Sequence, residues 1–408
     1  MPWGDNGTTN LREAQDQAPT WSWGGNQVSV NFNPINDVGY LRRLWLKFPY
    51  SQQTITLAAT ADPLAVPAES QYVPHRAINS FSLIAQGIAP IYQLSRGGLD
   101  LAALSYFKSG RKETTGSIIA TESNATTNTH AYGHTSDKWA YRMGAAVGST
   151  GGATQTAAFA DTLDVPITEC IYYPGGQVAG SSGSSSIALP QWAEVGLLTA
   201  QNTQQNLRLS VQLNPMWVVS GGSYDTVFTA TTAIPTSAYS GTMQVWSEFY
   251  DVPASPADAP PAFTQAYVVT RQTRDWPVSA QQVFPKHEAA GLLLRTIFLF
   301  FDVNDQLIDI SGQATDPTFG FRWGSSIYKD NTIPFEQLSA ELAETQGDPV
   351  PAGMAAFDFF GVDGPYKNTL TNVINTVKLG AVYSEIKNLP SAVTTCHVIE
   401  ERLVPVKG

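Results

Sequence analysis

Two stretches of this chain read alike when set side by side: GYLRRLWLKF, beginning at Gly39, and GLLLRTIFLF, beginning at Gly291. Gly39 and Gly291, Leu41 and Leu293, Arg43 and Arg295, and Phe48 and Phe300 fall in register. Further on, MQVWSEFYDVP ends at Pro253 and CHVIEERLVP ends at Pro405, both as alternating strands that stop at Val-Pro. The order strand, long excursion, Pro-led helix, strand, loop, closing strand is expected twice. Such self-similarity implies two copies of one structural unit. The length agrees, because 408 residues exceed what a single hydrophobic core usually supports.

Each copy reads as β. Glycine (33) and proline (26) supply frequent turns, and short runs of period two lie between them. QVSVNF places Val28, Val30 and Phe32 on one face, and NLRLSVQLNP does the same with Leu207, Leu209, Val211 and Leu213. TIFLFFDVNDQLIDIS predicts a hairpin with Asn304 and Asp305 at the turn. Two helices are expected. TIPFEQLSAELAETQG starts at Pro334, has Phe335, Leu338 and Leu342 on one stripe, and stops at Gly347. ALPQWAEVGLLTAQN starts at Pro190, with Trp192, Val195 and Leu198 on its apolar face. On this reading 151 positions separate Gly39 from Pro190 and 43 separate Gly291 from Pro334, so the first copy carries long insertions. Residues 113–161 and 174–190, rich in Gly, Ser and Thr, read as extended surface loops.

PASPADAPPAF, Pro253 to Phe263, is either a long loop inside one domain or a seam between two. Proline removes backbone donors and fixes φ, so the stretch forms no core and reads as a stiff linker. The expected organisation is an N-terminal arm at 1–25, a first β-sandwich at 26–253, a linker at 254–262 and a second sandwich at 263–408. Short strands at this spacing favour a sandwich or barrel over alternating βαβ units.

Charge narrows the function. Net charge is −11, and the densest basic spot is GRKE at Gly110 to Glu113. Nucleic-acid binding independent of sequence needs a positive footprint, so direct binding is not expected. Charged residues make up 14%, below the usual ~25%, which fits a subunit buried on several sides by neighbours and also fits a secreted β-protein. Cys170 and Cys396 sit in apolar strand-like runs, and spacing alone leaves their pairing open. The N-terminal stretch MPWGDNGTTNLREAQDQ lacks the basic-then-apolar pattern of a signal peptide. No run approaches the ~20 apolar residues that span a bilayer. The expectation is a soluble chain made in a host cytoplasm and not secreted, so the sequons at Asn6 and Asn124 carry no weight.

No motif points to catalysis, a metal or a cofactor. His130 and His134 in HAYGH, with Asp137 beyond, would need a helix to share a face, and Gly133 argues for a loop. DVNDQLID from Asp302 has Leu307 where a calcium loop needs glycine and Gln313 where it needs glutamate. Neither GSSGSSS nor GGSYD at Gly221 sits in a nucleophile elbow. His75, His287 and His397 have no diagnostic carboxylate spacing. Paired carboxylates that meet only in space stay open.

The segment CIYYPGG to ALPQWAEVGLLTAQNTQQNLRLSVQLNP resembles the double jelly-roll major capsid proteins, especially those of tectivirus-like phages. NSFSLIAQGIAPIYQLSRGGLDLAALSYFKSG and PAGMAAFDFFGVDGPYKNTL are similar to other parts of that family. The resemblance runs from about Val28 to Pro405. It implies an all-β chain of two tandem eight-stranded jelly-roll β-sandwiches (a double jelly roll), with short flanking helices and long loops in the first. It also implies a homotrimer acting as a pseudo-hexameric capsomer in an icosahedral virion shell over an internal membrane and double-stranded DNA. Partners implied are neighbouring capsomers, minor capsid or vertex proteins, and the viral membrane. The last would be met through an N-terminal arm bearing Trp3, Trp21, Trp23 and a short helix in NLREAQDQ. Two other readings stand beside it: a two-domain β-sandwich that binds or hydrolyses carbohydrate, and a virion spike or minor capsid protein.

Overall fold

The computed structural model describes residues 9–13, 20–23, 28–32, 39–56, 78–85, 90–109, 119–121, 129–133, 143–146, 154–172, 177–179, 186–188, 192–199, 207–213, 217–219, 228–230, 239–242, 244–252, 267–305, 307–323, 326–346, 350, 353–361, 370 and 372–406. Eight principal strands and one helix make the first unit: β1 (Thr9–Glu13), β2 (Val28–Phe32), β3 (Tyr40–Thr56), β4 (Ile78–Ala85), β5 (Tyr92–Leu94), α1 (Gly97–Ser109), β6 (Thr154–Pro166), β7 (Leu207–Leu213) and β8 (Gln244–Tyr250). The second repeats the list: β9 (Tyr267–Pro277), β10 (Lys286–His287), β11 (Leu292–Phe301), β12 (Thr318–Trp323), β13 (Ser326–Pro334), α2 (Phe335–Gln346), β14 (Met354–Asp358), β15 (Val382–Lys387) and β16 (Thr395–Pro405).

Sheet order shows that both units are jelly rolls. In the first, β1-β8-β3-β6 form one sheet and β2-β7-β4-β5 pair in the other. In the second, β9-β16-β11-β14 and β10-β15-β12-β13 take the same places. Two sheets of such a sandwich bury their inner faces against each other. In the second roll that core is aromatic. Phe321 meets Phe357 and Phe359 edge-on, with ring centroids 5.6 and 4.9 Å apart. Such pairs add ~0.5–1.5 kcal/mol beyond burial.

The internal repeat holds down to a β-bulge. Leu41 pairs with Phe249 and Arg43 with Glu248, so the register slips between them. Leu293 pairs with Arg402 and Arg295 with Glu401, with the same slip. The Gly39 and Gly291 match follows from crowding. A Cβ on Gly39 would lie 2.0 Å from the Tyr250 carbonyl oxygen, and one on Gly291 2.4 Å from that of Leu403. Tyr250 and Leu403 are therefore equivalent, a difference of 153 positions. The Val-Pro endings differ by 152 and mislead by one residue, which in a strand exchanges the two faces.

The second expected helix is a correction. Trp192–Val195 is a strand paired with Glu169–Tyr172, and Leu198–Thr199 pairs with β3. Gly196 between them has φ +90 and lies against Val269, whereas a helix needs negative φ throughout. The repeated helix is α1, which opens on two glycines and carries no proline signal. It starts 58 residues after Gly39, and α2 starts 44 after Gly291. The excess of the first roll lies after the helix. There 44 residues separate α1 from β6, against seven between α2 and β14.

Part of that insertion is strand, where loop was expected. Ile119–Thr121, Thr129–Gly133 and Met143–Ala146 form a meander that widens the sheet beyond β6. β3, with 17 residues, stays paired with β6 from Arg43 to Thr56. At ~3.3 Å per residue β3 is about 55 Å long. The helix expected in NLREAQDQ is likewise corrected: Thr9–Glu13 is strand β1, paired with β8 as β9 is with β16. Other expectations hold. Phe335, Leu338 and Leu342 are buried on α2, which begins directly after Pro334. Asp305 has φ +59 in the turn that follows β11. The linker at 254–262, Trp3, His75, His134, Asp137 and the GRKE stretch lie outside the described residues.

Gly291→Ala adds a crowded Cβ at positive φ and is expected to cost about 2 kcal/mol or more. Gly312 also has positive φ but nothing within 4 Å of a Cβ. Gly312→Ala should cost only about 1 kcal/mol. Thermal unfolding of the two variants beside the parent checks this.

Candidate functional site at the junction of the two rolls

A two-roll chain has to fix one roll against the other, and here a parallel strand pair does so. β5 pairs with β9, Tyr92 with Arg271 and Gln93 with Gln272. Hence the second sheet of the first roll runs without a break into the first sheet of the second roll. α1 packs against β4 of that sheet, and its Asp100 and Phe107 meet His397 and Arg295 of the second roll. β16 serves both sides of it by alternation. His397 and Glu401 face the first roll, while Val398, Glu400 and Arg402 face the interior of the second roll.

At the centre of the junction Glu401 is fully buried between two arginines. Arg271 Nε donates to one carboxylate oxygen at 2.8 Å, and Arg295 Nη1 donates to the other. Arg271 also reaches into the first roll. It donates to Glu169 and, at 3.1 Å, to the Pro166 carbonyl, and its guanidinium stands 4.8 Å from the Tyr92 ring centroid. The Tyr92 hydroxyl donates to the same carbonyl at 2.5 Å. Arg295 lies between Phe107 of α1, at 5.3 Å, and Phe360, at 5.6 Å. Burial works against the Arg295 charge, but Asp358 and Glu401 hold its pKa above the ordinary value. A buried pair of this kind gains specificity from the cost of any other arrangement.

A second cluster sits toward the start of α1. His397 Nε2 is 2.7 Å from Asp100 of α1, and Nδ1 is 2.5 Å from Asp275 of β9. The Arg96 backbone N–H donates to Asp100 at 3.0 Å, and its side chain pairs with Asp305 at 2.8 Å. Burial disfavours an imidazolium, yet the two carboxylates outweigh it and raise the His397 pKa to about 9. Asp275, partly desolvated, is held below the usual range by His397 and Arg96. Nearby Cys396 is a free, buried thiol whose pKa burial pushes up.

Inside the second roll a serine, a histidine and a glutamate do meet. His287 lies 2.7 Å from Ser384 Oγ and 2.5 Å from Glu400. Burial favours a neutral Glu400, but the hydrogen bond from His287 and the charges around it hold the carboxyl low. Ser384 and His287 are closed off between the two sheets, so no substrate atom can reach the hydroxyl. The trio ties sheet to sheet across the sandwich.

Sequence spacing could not have revealed any of these sets. His397 meets Asp100 across 297 residues and Asp275 across 122. His130 lies in the added meander, and no group of three His, Cys, Asp or Glu side chains suited to a metal occurs among the described residues. The Asp302 side chain accepts from the Asn304 backbone N–H at 2.7 Å, an Asx turn as the hairpin reading required.

No protein-family model matches the sequence, and no curated protein matches it. Solved structures do. The STIV MCP aligns over 98% of this chain and 97% of its own, with TM-score 0.53 and 12% identity. A protein in the atomic structure of Sulfolobus Turreted Icosahedral Virus aligns over 98% and 91%, with TM-score 0.56 and 12% identity. PBCV-1 VP54, fitted into a reconstruction of the virophage Sputnik, aligns over 97% and 93%, with TM-score 0.52 and 10% identity. The likeness covers nearly the whole of each chain and establishes the double jelly-roll fold.

Glu401→Ala removes the carboxylate shared by two buried guanidinium groups and is expected to cost ~3–5 kcal/mol. Glu248→Ala, at the equivalent but half-buried place, should cost about 1 kcal/mol. Chemical denaturation of both variants measures the difference. Because the His397 pKa is higher folded (about 9) than unfolded (6.5), its contribution is complete below pH 6.5 and lost as pH rises through 9. That linkage amounts to on the order of 3 kcal/mol. Melting temperatures of the parent should fall over this window relative to His397→Gln, which lacks the titration.

Proposed function

We propose that this chain is the major capsid protein of an icosahedral virus, with a structural and not a catalytic role. The observation that carries the reading is the rigid, side-by-side fusion of two like rolls through one continuous sheet. Fold likeness to the STIV MCP and to PBCV-1 VP54 supports it. Three chains set in a closed ring supply six similar rolls, a pseudo-hexameric block suited to tiling a shell. The chain would then reside in the virion, with its own copies and neighbouring capsomers as its first partners.

The finer parts belong to the same proposal. The second roll occupies 263–408, joined through 254–262 to a first roll at 26–253 that also draws β1 from the arm at 1–25. The widened sheet and the long β3–β6 ribbon would stand clear of the roll as the outer projection of the capsomer. Membership among tectivirus-like phages, contact with an internal membrane and contact with minor vertex proteins draw their support from the sequence resemblance. No catalytic, cofactor or metal role is proposed for any residue.

Purified full-length protein should sediment as a homotrimer and form hexagonally packed arrays on concentration, visible by negative-stain microscopy. A monodisperse monomer that binds or cleaves an oligosaccharide would sink the capsid reading.

A further inference from the structure

The junction between the rolls is held at two places by cations of different kinds. At one, Glu401 lies between Arg271 and Arg295, whose guanidinium groups stay charged at any ordinary pH. At the other the cation is an imidazole, which can lose its charge. His397 and Glu401 stand four residues apart on β16, about 13 Å at the usual strand rise. α1 spans both places: its Asp100 meets His397, and its Phe107 lies 5.3 Å from the Arg295 guanidinium.

The surroundings of His397 call for a proton on each ring nitrogen. Nε2 faces Asp100 at 2.7 Å and Nδ1 faces Asp275 at 2.5 Å, whereas a neutral imidazole has one N–H and one lone pair. The other charged group beside the ring is Arg96, directly before α1, which lies 3.8 Å from Asp275 and 2.8 Å from Asp305 in the turn after β11. Phe301 covers the ring edge-on, with centroids 6.2 Å apart, and Cys396 before it on β16 is held as a neutral thiol by burial. The two carboxylates differ in what they can do without the imidazolium. Asp275 is 48% exposed and can turn to water. Asp100 is fully buried, and its other oxygen accepts only a backbone N–H, from Arg96. Without the proton on His397, Asp100 loses the cation it touches, and a buried carboxylate in that state is costly. Hydrating it requires the first turn of α1 to move away from β16.

We propose that the start of α1 is a proton-operated latch between the rolls, closed while His397 is an imidazolium and released from β16 in alkaline solution, with the Arg271–Glu401–Arg295 end staying joined. The opening is local, and the rolls remain connected. The direction follows from the carboxylates, which raise the His397 pKa to about 9 from 6.5. The latch is therefore complete below pH 6.5 and is lost as pH rises through 9. It acts within one chain and does not depend on how copies assemble.

Hydrogen–deuterium exchange of the full-length protein, read by mass spectrometry and corrected for the intrinsic pH dependence of exchange, tests it. In the parent, protection over residues 97–104 should fall at least tenfold between pH 7 and pH 10, while residues 268–271 and 399–403 keep theirs. His397→Gln has no proton to lose, so its 97–104 segment should be poorly protected already at pH 7 and fall no further. Parent protection of α1 that is the same at both pH values, or a fall shared equally by β9 and β16, would overturn the latch. A folded His397→Gln that keeps the parent's pH profile would overturn it as well. Should that variant not fold, the parent's profile decides alone.

Discussion

Everything in this molecule is arranged around the short parallel contact of β5 with β9 and the charged groups stacked upon it. A two-residue strand pairing is weak alone. It becomes decisive because Arg271, one of its two paired positions, is fully buried and distributes its donors between Glu401 of its own roll and Glu169 and Pro166 of the other. Removing a guanidinium from water is costly unless every donor finds a partner. Sliding or rotating one roll would leave these groups unpaired, so the network resists both movements. The result is one rigid body where two hinged ones were possible.

β16 shows how one strand can serve two purposes. Its alternate residues face opposite sides, so His397 bonds Asp100 of the other roll and Glu401 pairs with Arg271, which itself reaches that roll, while Glu400 and Arg402 lie on the side where Glu400 meets His287 across its own sandwich. Both sides are polar and both are buried, which is uncommon for a strand at the centre of a β-sandwich. Packing alone would tolerate shifts between sheets. Paired charges and hydrogen-bonded histidines tolerate far fewer.

The two rolls have diverged where their surroundings differ. Both keep the crowded glycine, the bulge and the Arg–Glu pair at the same register. Those features belong to the roll itself, because a closing strand can approach the central strand only where a Cβ is missing. The differences lie at the outer face, the helix and the insertion after it.

Residue patterns alone were enough to read two like β units, the α2 helix from its proline and apolar stripe, the turn at Asn304 and Asp305, and the equivalence of Gly39 with Gly291. Each of these is local: alternation, a helix stop or a turn acts within a few residues. The Pro190 segment defeated the same reasoning, since a proline followed by apolar residues at helical spacing also fits a strand that turns at Gly196, and only pairing with Glu169–Tyr172 selects the strand. α1 was missed because it opens on two glycines and carries no proline signal. The offset of one residue at the Val-Pro endings hid which glutamate of β16 belongs to the junction. The site itself, Arg271 with Glu401 and His397 with Asp100, was decided wholly by tertiary structure. Its members lie more than a hundred residues apart and meet only because a parallel strand pair lays one roll on the helix of the other, and no local pattern encodes that distance.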